Sequence, residues 1–269
     1  MTASVRRAFA DLPHGQVHYA SSGEPGAPAV LLLHQSPRSW TEYRDVLPLL
    51  GRGFHAIAMD TAGFGDSAPL PGKPTIERWA GVAVHLLDAL GILKVHVVGH
   101  HTGGVIAVEL AAVHGRRVRS LVLSSTPYTN EPFRVARAQR PPIDHVGFSA
   151  DGAHLTALWR RRQGFYPKDR PQLLQAFVAD ALKVSGDVEG GHRAVASYRM
   201  EDRIAGLAGR RVLLVHAPDD PFASPHTAEW RHLLPQAEVA AIDGGMVPLP
   251  DQLPDEFAQV VGDFLRRAP

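Results

Sequence analysis

The segment VVGHHTGGV, residues 97–105, joins an apolar run to a helical pattern through a short glycine-rich turn. It continues the run VHVV, which is typical of a strand covered on both faces of a parallel sheet. The small residues Gly99 and Gly103 allow a sharp turn from strand to helix, which presents His101 at the edge of the sheet. Ligands bind at the carboxyl ends of parallel strands, so this edge is where chemistry is expected. The plainer alternative is a strand-to-helix turn whose histidine is only exposed.

The rest of the chain repeats this alternation of strand and helix patterns. Short runs rich in leucine or β-branched residues alternate with longer helical patterns, which predicts an α/β protein with a mostly parallel, twisted sheet and helices on both faces. The predicted strands are residues 16–20, 29–34, 54–60, 94–99, 118–124, 211–216 and 238–242, with a further strand near 5–10. The predicted helices are residues 40–50, 76–90, 103–114, 226–234 and 256–266.

One region has no strand pattern between two good strands. Residues 128–203 are rich in arginine and aromatic side chains, with helical pieces at 154–163 and 171–183. We therefore predict a helical cap, residues 128–203, inserted into a core formed by residues 1–127 and 204–269. Its excess of basic over acidic residues is either a solvated surface or a means of holding an anionic group of a substrate. The side chains considered for that second role are Arg134, Arg137, His192 and Arg199.

Two loops that follow other predicted strands complete the candidate site. His34-Gln35-Ser36 follows the run AVLLL, where a backbone N–H can point at a developing oxyanion. We predict Ser36 as that donor, paired with the N–H of Thr102; a simple turn closed by Ser-Pro is the alternative. Asp219 and Asp220 follow the run VLLV, where a carboxylate can orient a histidine, and Asp220 is the preferred residue.

Bulk composition narrows the function classes. The chain has 269 residues, no cysteine and a formal net charge of +1, which excludes disulfides and gives no case for nucleic acid or an anionic membrane as partner. No apolar run approaches a membrane span, and the N-terminus lacks the apolar region of a signal peptide. A soluble, cytoplasmic protein is expected, with the choice between monomer and homodimer open.

These loops, in this order, resemble those of the α/β-hydrolase superfamily, together with the stretch DTAGFGDS at residues 60–67. The resemblance covers essentially the whole chain and implies the α/β-hydrolase fold with its cap. It also implies that the nucleophile position is held by His101, the acid position by Asp220 and the triad histidine position by Met246, in the glycine-rich loop after the last strand. The usual His-Gly of the oxyanion loop reads His34-Gln35 here. A serine mechanism is therefore excluded, and a non-standard triad is expected.

A histidine at this position still offers chemistry. Positive charge is disfavoured at a helix N-terminus, so a neutral imidazole at His101 is expected to serve as a base, oriented by Asp220. Such a base activates water, abstracts a proton beside a carbonyl, or attacks directly to give an acyl-imidazole, all without a cofactor. Met246 would either dry the pocket or only pack. The residues expected to contact the substrate are His34, Gln35, Tyr128, His192, Arg199 and Met246.

Three functions therefore stay open. The first is cofactor-independent hydrolysis of an ester, a lactone or a C–C bond next to a carbonyl in a small organic substrate, with His101 as general base or nucleophile. The second is a lyase, decarboxylase, isomerase or cyclase that uses His101 for proton transfer. The third is an inactive ligand-binding homologue. Nucleophilic Ser36 is weighed and set aside, as is a metal on His34, His100, His101 and Asp220; His100 is expected to point away from His101.

Overall fold

The apolar runs of the sequence become the strands of one sheet. In the computed structural model, which describes residues 4–267, eight strands are present. They are β1 (Arg6–Leu12), β2 (Gly15–Ser22), β3 (Ala29–Leu33), β4 (His55–Met59), β5 (Val95–His100), β6 (Val118–Ser124), β7 (Val212–His216) and β8 (Glu238–Ala241). Their order in the sheet is β1-β2-β4-β3-β5-β6-β7-β8. Strands β4 to β8 and β3 pair in parallel, whereas β2 runs antiparallel to both β1 and β4. The predicted, mostly parallel sheet is confirmed.

Helices cover both faces of this sheet. In the described range they are α1 (Leu47–Leu50), α2 (Ile76–Ala89), α3 (Thr102–Val113), α4 (Glu131–Ala138), α5 (Ala153–Arg162), α6 (Pro171–Leu182), α7 (Gly190–Ser197), α8 (Thr227–Leu233), α9 (Leu249–Gln252) and α10 (Pro254–Arg266). Alternate residues of β3 separate the two cores. Leu31 and Leu33 pack with α2 and α3, whereas Val30 and Leu32 pack with α1 and α10. The central strands are therefore buried on both faces, as their continuous apolar runs predict.

One predicted helix is wrong in extent. The pattern at residues 40–50 predicts a single helix, but the structure has a 3₁₀ turn, Trp40–Tyr43, and then the separate short helix α1. Pro48 lies in the first turn of α1, where its missing N–H costs nothing. Inside a longer helix the same proline would lack the hydrogen bond to residue 44 and would clash with that turn. The helix therefore restarts at Leu47.

The segment between β6 and β7 is helical, with α4 to α7. Helices α5 and α6 share a small core of their own, which includes Leu158 and Phe177. Residues Ala194 and Met200, at its end, pack instead into the main core beside α3. The division into a core and a cap stays a prediction, and the outermost residues of the predicted core, 1–3 and 268–269, lie outside the described residues. Within residues 4–267, each helix is too short or too polar to cross a bilayer.

Candidate active site

His101 is the single residue between strand β5 and helix α3. Its backbone has φ 47° and ψ −113°, a region that side-chain-bearing residues rarely occupy and that costs about 1–3 kcal/mol. The structure holds this conformation from both sides. The His101 N–H donates to the carbonyl of Ser124 on β6 at 3.0 Å, and the His101 carbonyl accepts from Gly104 and Val105 in the first turn of α3. The strained turn therefore points the imidazole at the carboxyl edge of the sheet.

Two glycines beside His101 are required by close backbone packing. A Cβ atom at Gly103 would overlap the carbonyl oxygen of Leu33 at the end of β3. A Cβ atom at Gly99 would overlap the backbone of Gly103 itself. Glycine at both positions therefore allows helix α3 to start directly against β3 and β5, which forms the sharp turn (the elbow) at His101.

Replacing Gly103 with alanine is expected to lower the free energy of unfolding by about 3 kcal/mol, because the backbone of β3 cannot move away from the added methyl group. Urea denaturation measures this change. The matched control is Gly81→Ala in α2, where a Cβ would meet nothing within 4 Å and the substitution should stabilise by about 0.5–1 kcal/mol. Similar effects from the two substitutions would contradict the packing explanation.

His101 forms a buried pair with Asp220, which follows β7. The His101 Nε2 atom lies 2.7 Å from Asp220 Oδ2; the imidazole is 14% exposed and the carboxylate 0%. The other carboxylate oxygen accepts from the backbone N–H of Phe222 at 2.9 Å and of Ala223 at 3.3 Å. Burial alone raises the pKa of Asp220, but the interaction with His101 and these hydrogen bonds outweigh it and lower the pKa to about 2. Asp220 is therefore an ionised acceptor, and Nε2 of His101 carries a proton.

The neighbouring His100 has a different environment. Contrary to expectation, its ring does not point away from His101; the two rings meet edge to face with centroids 4.7 Å apart. His100 Nε2 donates to the carbonyl of Val247 at 2.9 Å, so Nδ1 accepts from the Ser124 hydroxyl, also at 2.9 Å. Burial and the adjacent His101 lower the pKa of His100 to about 3. His100 is therefore a neutral, fully hydrogen-bonded support.

A cavity of about 870 Å³ opens above His101. Its lining is mostly apolar, with prolines, Phe133 and Phe222. Ser36 and Thr102 both line it, and neither backbone N–H has an acceptor within residues 4–267. Two unengaged N–H groups beside a histidine can stabilise an oxyanion on a bound carbonyl compound.

The other residues predicted to contact the substrate differ in whether they line the cavity. Gln35 and His192 line the cavity. His34 does not, because its Nε2 accepts from the Thr61 N–H at 3.0 Å and its Nδ1 therefore donates to the Gln35 carbonyl at 2.8 Å. Both ring nitrogens of His34 are therefore used within the protein, and its predicted substrate contact stays a prediction.

Three further predicted contacts lie away from the cavity. Tyr128 is buried with its ring against Trp230. Arg199 is a surface residue that pairs with Asp202 at 2.9 Å. Met246 is half-buried outside the lining, whereas the next residue, Val247, lines the cavity.

Two of the arginines considered for binding an anionic group lie in different places. Arg134 pairs with Glu201 outside the cavity, whereas Arg137 lines the cavity and pairs with Glu189 at 3.1 Å. The sequence missed Arg162, Asp144, His226 and Glu229 near or in the cavity wall, because no motif or spacing relates them. Burial lowers the pKa of His226 and raises that of Glu229.

A metal site is not formed by the residues considered for one. In the described part of the chain, the group of side chains close enough to share an ion is His18, Asp60 and Asp66. There the Arg7 guanidinium donates to His18 Nε2 at 3.0 Å and to Asp66 at 2.7 Å. The Arg7 guanidinium already supplies the positive charge in this cluster, so the role of the cluster is structural.

A buried ion cluster contacts the loop that follows β3. Arg38 is fully buried and contacts Asp180 of α6 at 2.8 Å and Asp251 of α9 at 2.6 Å. Glu42 accepts from the backbone N–H of Gln35 at 2.9 Å and from its side chain at 2.6 Å. Burial raises the pKa of Glu42 to about 7, although Arg38 and these hydrogen bonds act in the opposite direction. The cluster links the loop after β3 to α6 and α9.

The arrangement agrees with what sequence comparison finds. The sequence profile of the alpha/beta hydrolase fold family matches residues 28–251. The chain belongs to the alpha/beta hydrolase fold family. The fold class implied by the resemblance is confirmed.

Curated relatives of this alpha/beta hydrolase have several activities. Epoxide hydrolase 2 of Siraitia grosvenorii is 41% identical over 109 residues, 39% of this chain and 34% of that protein. A 2-hydroxy-6-oxononadienedioate/2-hydroxy-6-oxononatrienedioate hydrolase of Pseudomonas putida is 36% identical over 126 residues, 45% of this chain and 43% of that protein. The acetyltransferase component of an acetoin cleaving system of Cupriavidus necator is 34% identical over 239 residues, 84% and 61% respectively. The chain spans less than two thirds of the length of each.

Solved structures extend the likeness over the whole fold. The enol-lactonase from Burkholderia xenovorans LB400 superposes with a TM-score of 0.75 at 22% identity, covering 97% of this chain and 100% of that one. The 2-hydroxy-6-oxo-6-phenylhexa-2,4-dienoate hydrolase from Rhodococcus sp. strain RHA1 superposes at 0.74 and 22% identity, covering 98% and 100%. At this level of identity the likeness shows the fold and not the reaction.

Proposed function

We propose that this protein is a cofactor-independent enzyme that hydrolyses an ester, a lactone or a C–C bond next to a carbonyl, with His101 as general base. The observation that carries the proposal is the buried His101–Asp220 pair beside a cavity that Ser36 and Thr102 also line, two residues whose backbone N–H groups have no acceptor within the described residues. Names of relatives that act as hydrolases support it. The non-standard catalytic set, histidine and aspartate without a serine, belongs to this proposal.

The hydrogen bonding decides which nitrogen acts. Since ionised Asp220 can only accept, Nε2 of His101 carries the proton, and the neutral ring has its lone pair on Nδ1. Nδ1 has no hydrogen-bond partner within residues 4–267, and His101 lines the cavity. Nδ1 is therefore the basic atom, and Asp220 both orients the ring and stabilises the imidazolium that forms.

The reaction follows from these positions. A water molecule loses a proton to Nδ1 of His101 as its oxygen attacks the substrate carbonyl. The carbonyl oxygen becomes an oxyanion that accepts hydrogen bonds from the N–H groups of Ser36 and Thr102. The tetrahedral intermediate then collapses, the bond to the leaving group breaks, and the leaving group takes up a proton. Each of these oriented groups contributes about a hundredfold or more to the rate.

A second candidate reaction has its own support. The position that the resemblance assigns to the nucleophile holds the base His101 in place of a hydroxyl group, and the aliphatic Val247 lines the cavity in the loop after β8. Proton transfer next to a carbonyl needs only a base and an oxyanion site, which suits a lyase, decarboxylase, isomerase or cyclase.

Isotopic labelling separates these reactions. The protein and its His101→Ala variant are incubated with small esters, lactones, β-diketones and β-keto acids in water that carries oxygen-18 and deuterium, and products are read by mass spectrometry. Oxygen-18 in a new carboxylate, lost in the variant, is the expected result. Deuterium at carbon without oxygen-18 would assign the second reaction. Product formed equally by the variant contradicts both, and tight ligand binding without any product would indicate a binding protein.

A further inference from the structure

A second histidine–aspartate pair faces the same cavity. His192 Nε2 lies 2.6 Å from Asp144 Oδ2, the imidazole is 14% exposed, and the carboxylate is 0% exposed. These exposures are the same as those of His101 and Asp220. His192 comes from α7, whereas Asp144 follows α4, so the pair belongs to the helical segment between β6 and β7. Both histidines line one cavity, each with its ring backed by a buried carboxylate.

Helix α7 packs against the loop that carries Ser36. Gly191 packs so closely on Ser36 that a Cβ atom there would overlap the Ser36 side chain. His192 is the next residue, so its backbone starts directly beside the loop that supplies an oxyanion donor. His192 and Ser36 therefore line the same cavity from two segments that are in contact.

The Asp144 carboxylate is held ionised. Arg162 donates to both of its oxygens, from Nε at 2.6 Å and from Nη2 at 2.5 Å. Burial raises the pKa of Asp144, but Arg162 and the hydrogen bond from His192 outweigh it and lower the pKa to about 2. Asp144 can therefore only accept, so Nε2 of His192 carries a proton toward it at 2.6 Å, although Arg162 Nη2 also lies 3.4 Å from this nitrogen. Nδ1 is left as the atom that can gain or release one.

We infer that His192 is a second catalytic residue, the general acid that protonates the leaving group while His101 takes a proton from water. The inference rests on the proposed function. The imidazolium of His192 gives its Nδ1 proton to the departing oxygen or carbon as the bond to the carbonyl breaks, and His192 becomes neutral. His101 is already an imidazolium at this point, because it took its proton when water attacked the carbonyl. Before the next turnover His101 returns its proton to solvent and His192 regains one, so that the sum is substrate plus water giving acid plus protonated leaving group.

Leaving-group dependence tests this assignment. A nitrophenolate needs no proton to depart, whereas an alkoxide does. The probes are therefore the 4-nitrophenyl and the ethyl ester of one carboxylic acid. For His192→Gln, kcat for the ethyl ester is expected to fall by about a hundredfold and for the nitrophenyl ester by less than about threefold. His192→Asn serves as a second variant if His192→Gln does not fold.

The control is His154→Gln, a histidine of α5 that lies outside the cavity and accepts a hydrogen bond from the Ser149 N–H. It should leave both esters unchanged. An equal loss for both esters in His192→Gln, or no loss for either, would overturn the acid role. If His101→Ala keeps the wild-type rates, or if neither ester is turned over in a His101-dependent way, the proposed function itself is contradicted. If His101→Ala loses activity but His192→Gln slows both esters equally, the proposed function is retained and only the acid role of His192 is contradicted.

Discussion

The His101→Ala variant is expected to lose about a thousandfold in kcat for the true substrate, because it removes the base that activates water at the oxyanion site. The affinity for a non-reacting product or substrate analogue should change little, since the cavity wall is otherwise intact. Asp220→Asn should lose about a hundredfold or more, because an amide can present its N–H to the ring and favour the wrong tautomer. Steady-state kinetics and calorimetric binding of the product measure the two effects.

A control for the fold comes from the strained backbone of His101. At φ 47° glycine is free of the steric penalty that a Cβ atom causes, so His101→Gly should be as inactive as His101→Ala but more stable by about 1 kcal/mol. Thermal or urea unfolding of both variants checks this. Substantial turnover by either variant would show that His101 is not the base.

Replacement of the buried Arg38 with methionine is expected to reduce the free energy of unfolding by about 3–5 kcal/mol at pH 8. The loss arises because Asp180, Asp251 and Glu42 stay buried without their shared cation. Urea unfolding measures it. Arg52→Met is the matched control, since Arg52 is exposed and makes no ion pair within the described residues.

The same variant has a predictable pH dependence. Burial raises the pKa of Glu42 to about 7 and also raises that of Asp251, while Arg38 lowers both. A carboxyl group with a raised pKa in the folded state contributes stability that is fully present below its unfolded pKa and is lost as pH rises through the folded pKa. Without Arg38 these pKa values rise further. The difference between Arg38→Met and wild type should therefore shrink as the pH falls from 8 through the pKa of Glu42, because its carboxyl group takes up a proton; a difference independent of pH would mean that only packing was lost.

Prediction from sequence succeeds at the site where a residue directly follows a strand, and fails where the residue lies further along a loop. Gly99 and Gly103 flank His101 at fixed spacing after an apolar strand, and the structure places His101 at the strained turn that this spacing indicates. Asp220 follows β7 directly, and it reaches His101 as the topology requires. Met246 lies in a loop several residues beyond β8, where spacing along the chain does not predict which side chain meets the cavity. The next residue, Val247, lines the cavity instead.

Side chains of the helical segment could not be assigned in this way. Arg199 and His192 look equally suitable in the sequence, yet Arg199 ends at the surface with Asp202 while His192 meets Asp144. That pair joins residues 48 positions apart and depends on how α7 packs over Ser36. No periodic pattern reports such a contact.

The sequence by itself determined the alternation of buried strands and amphipathic helices, and with it the sheet, its carboxyl edge and the elbow at His101. These features follow from hydrophobic periodicity and glycine spacing, which act between residues close in the chain. Only the tertiary structure decided which nitrogen of His101 bonds to Asp220, that both ring nitrogens of His34 bond within the protein, and that a second histidine–aspartate pair lines the same cavity. Those outcomes depend on burial and hydrogen bonds between distant segments, which exist only once the helices have packed on the sheet.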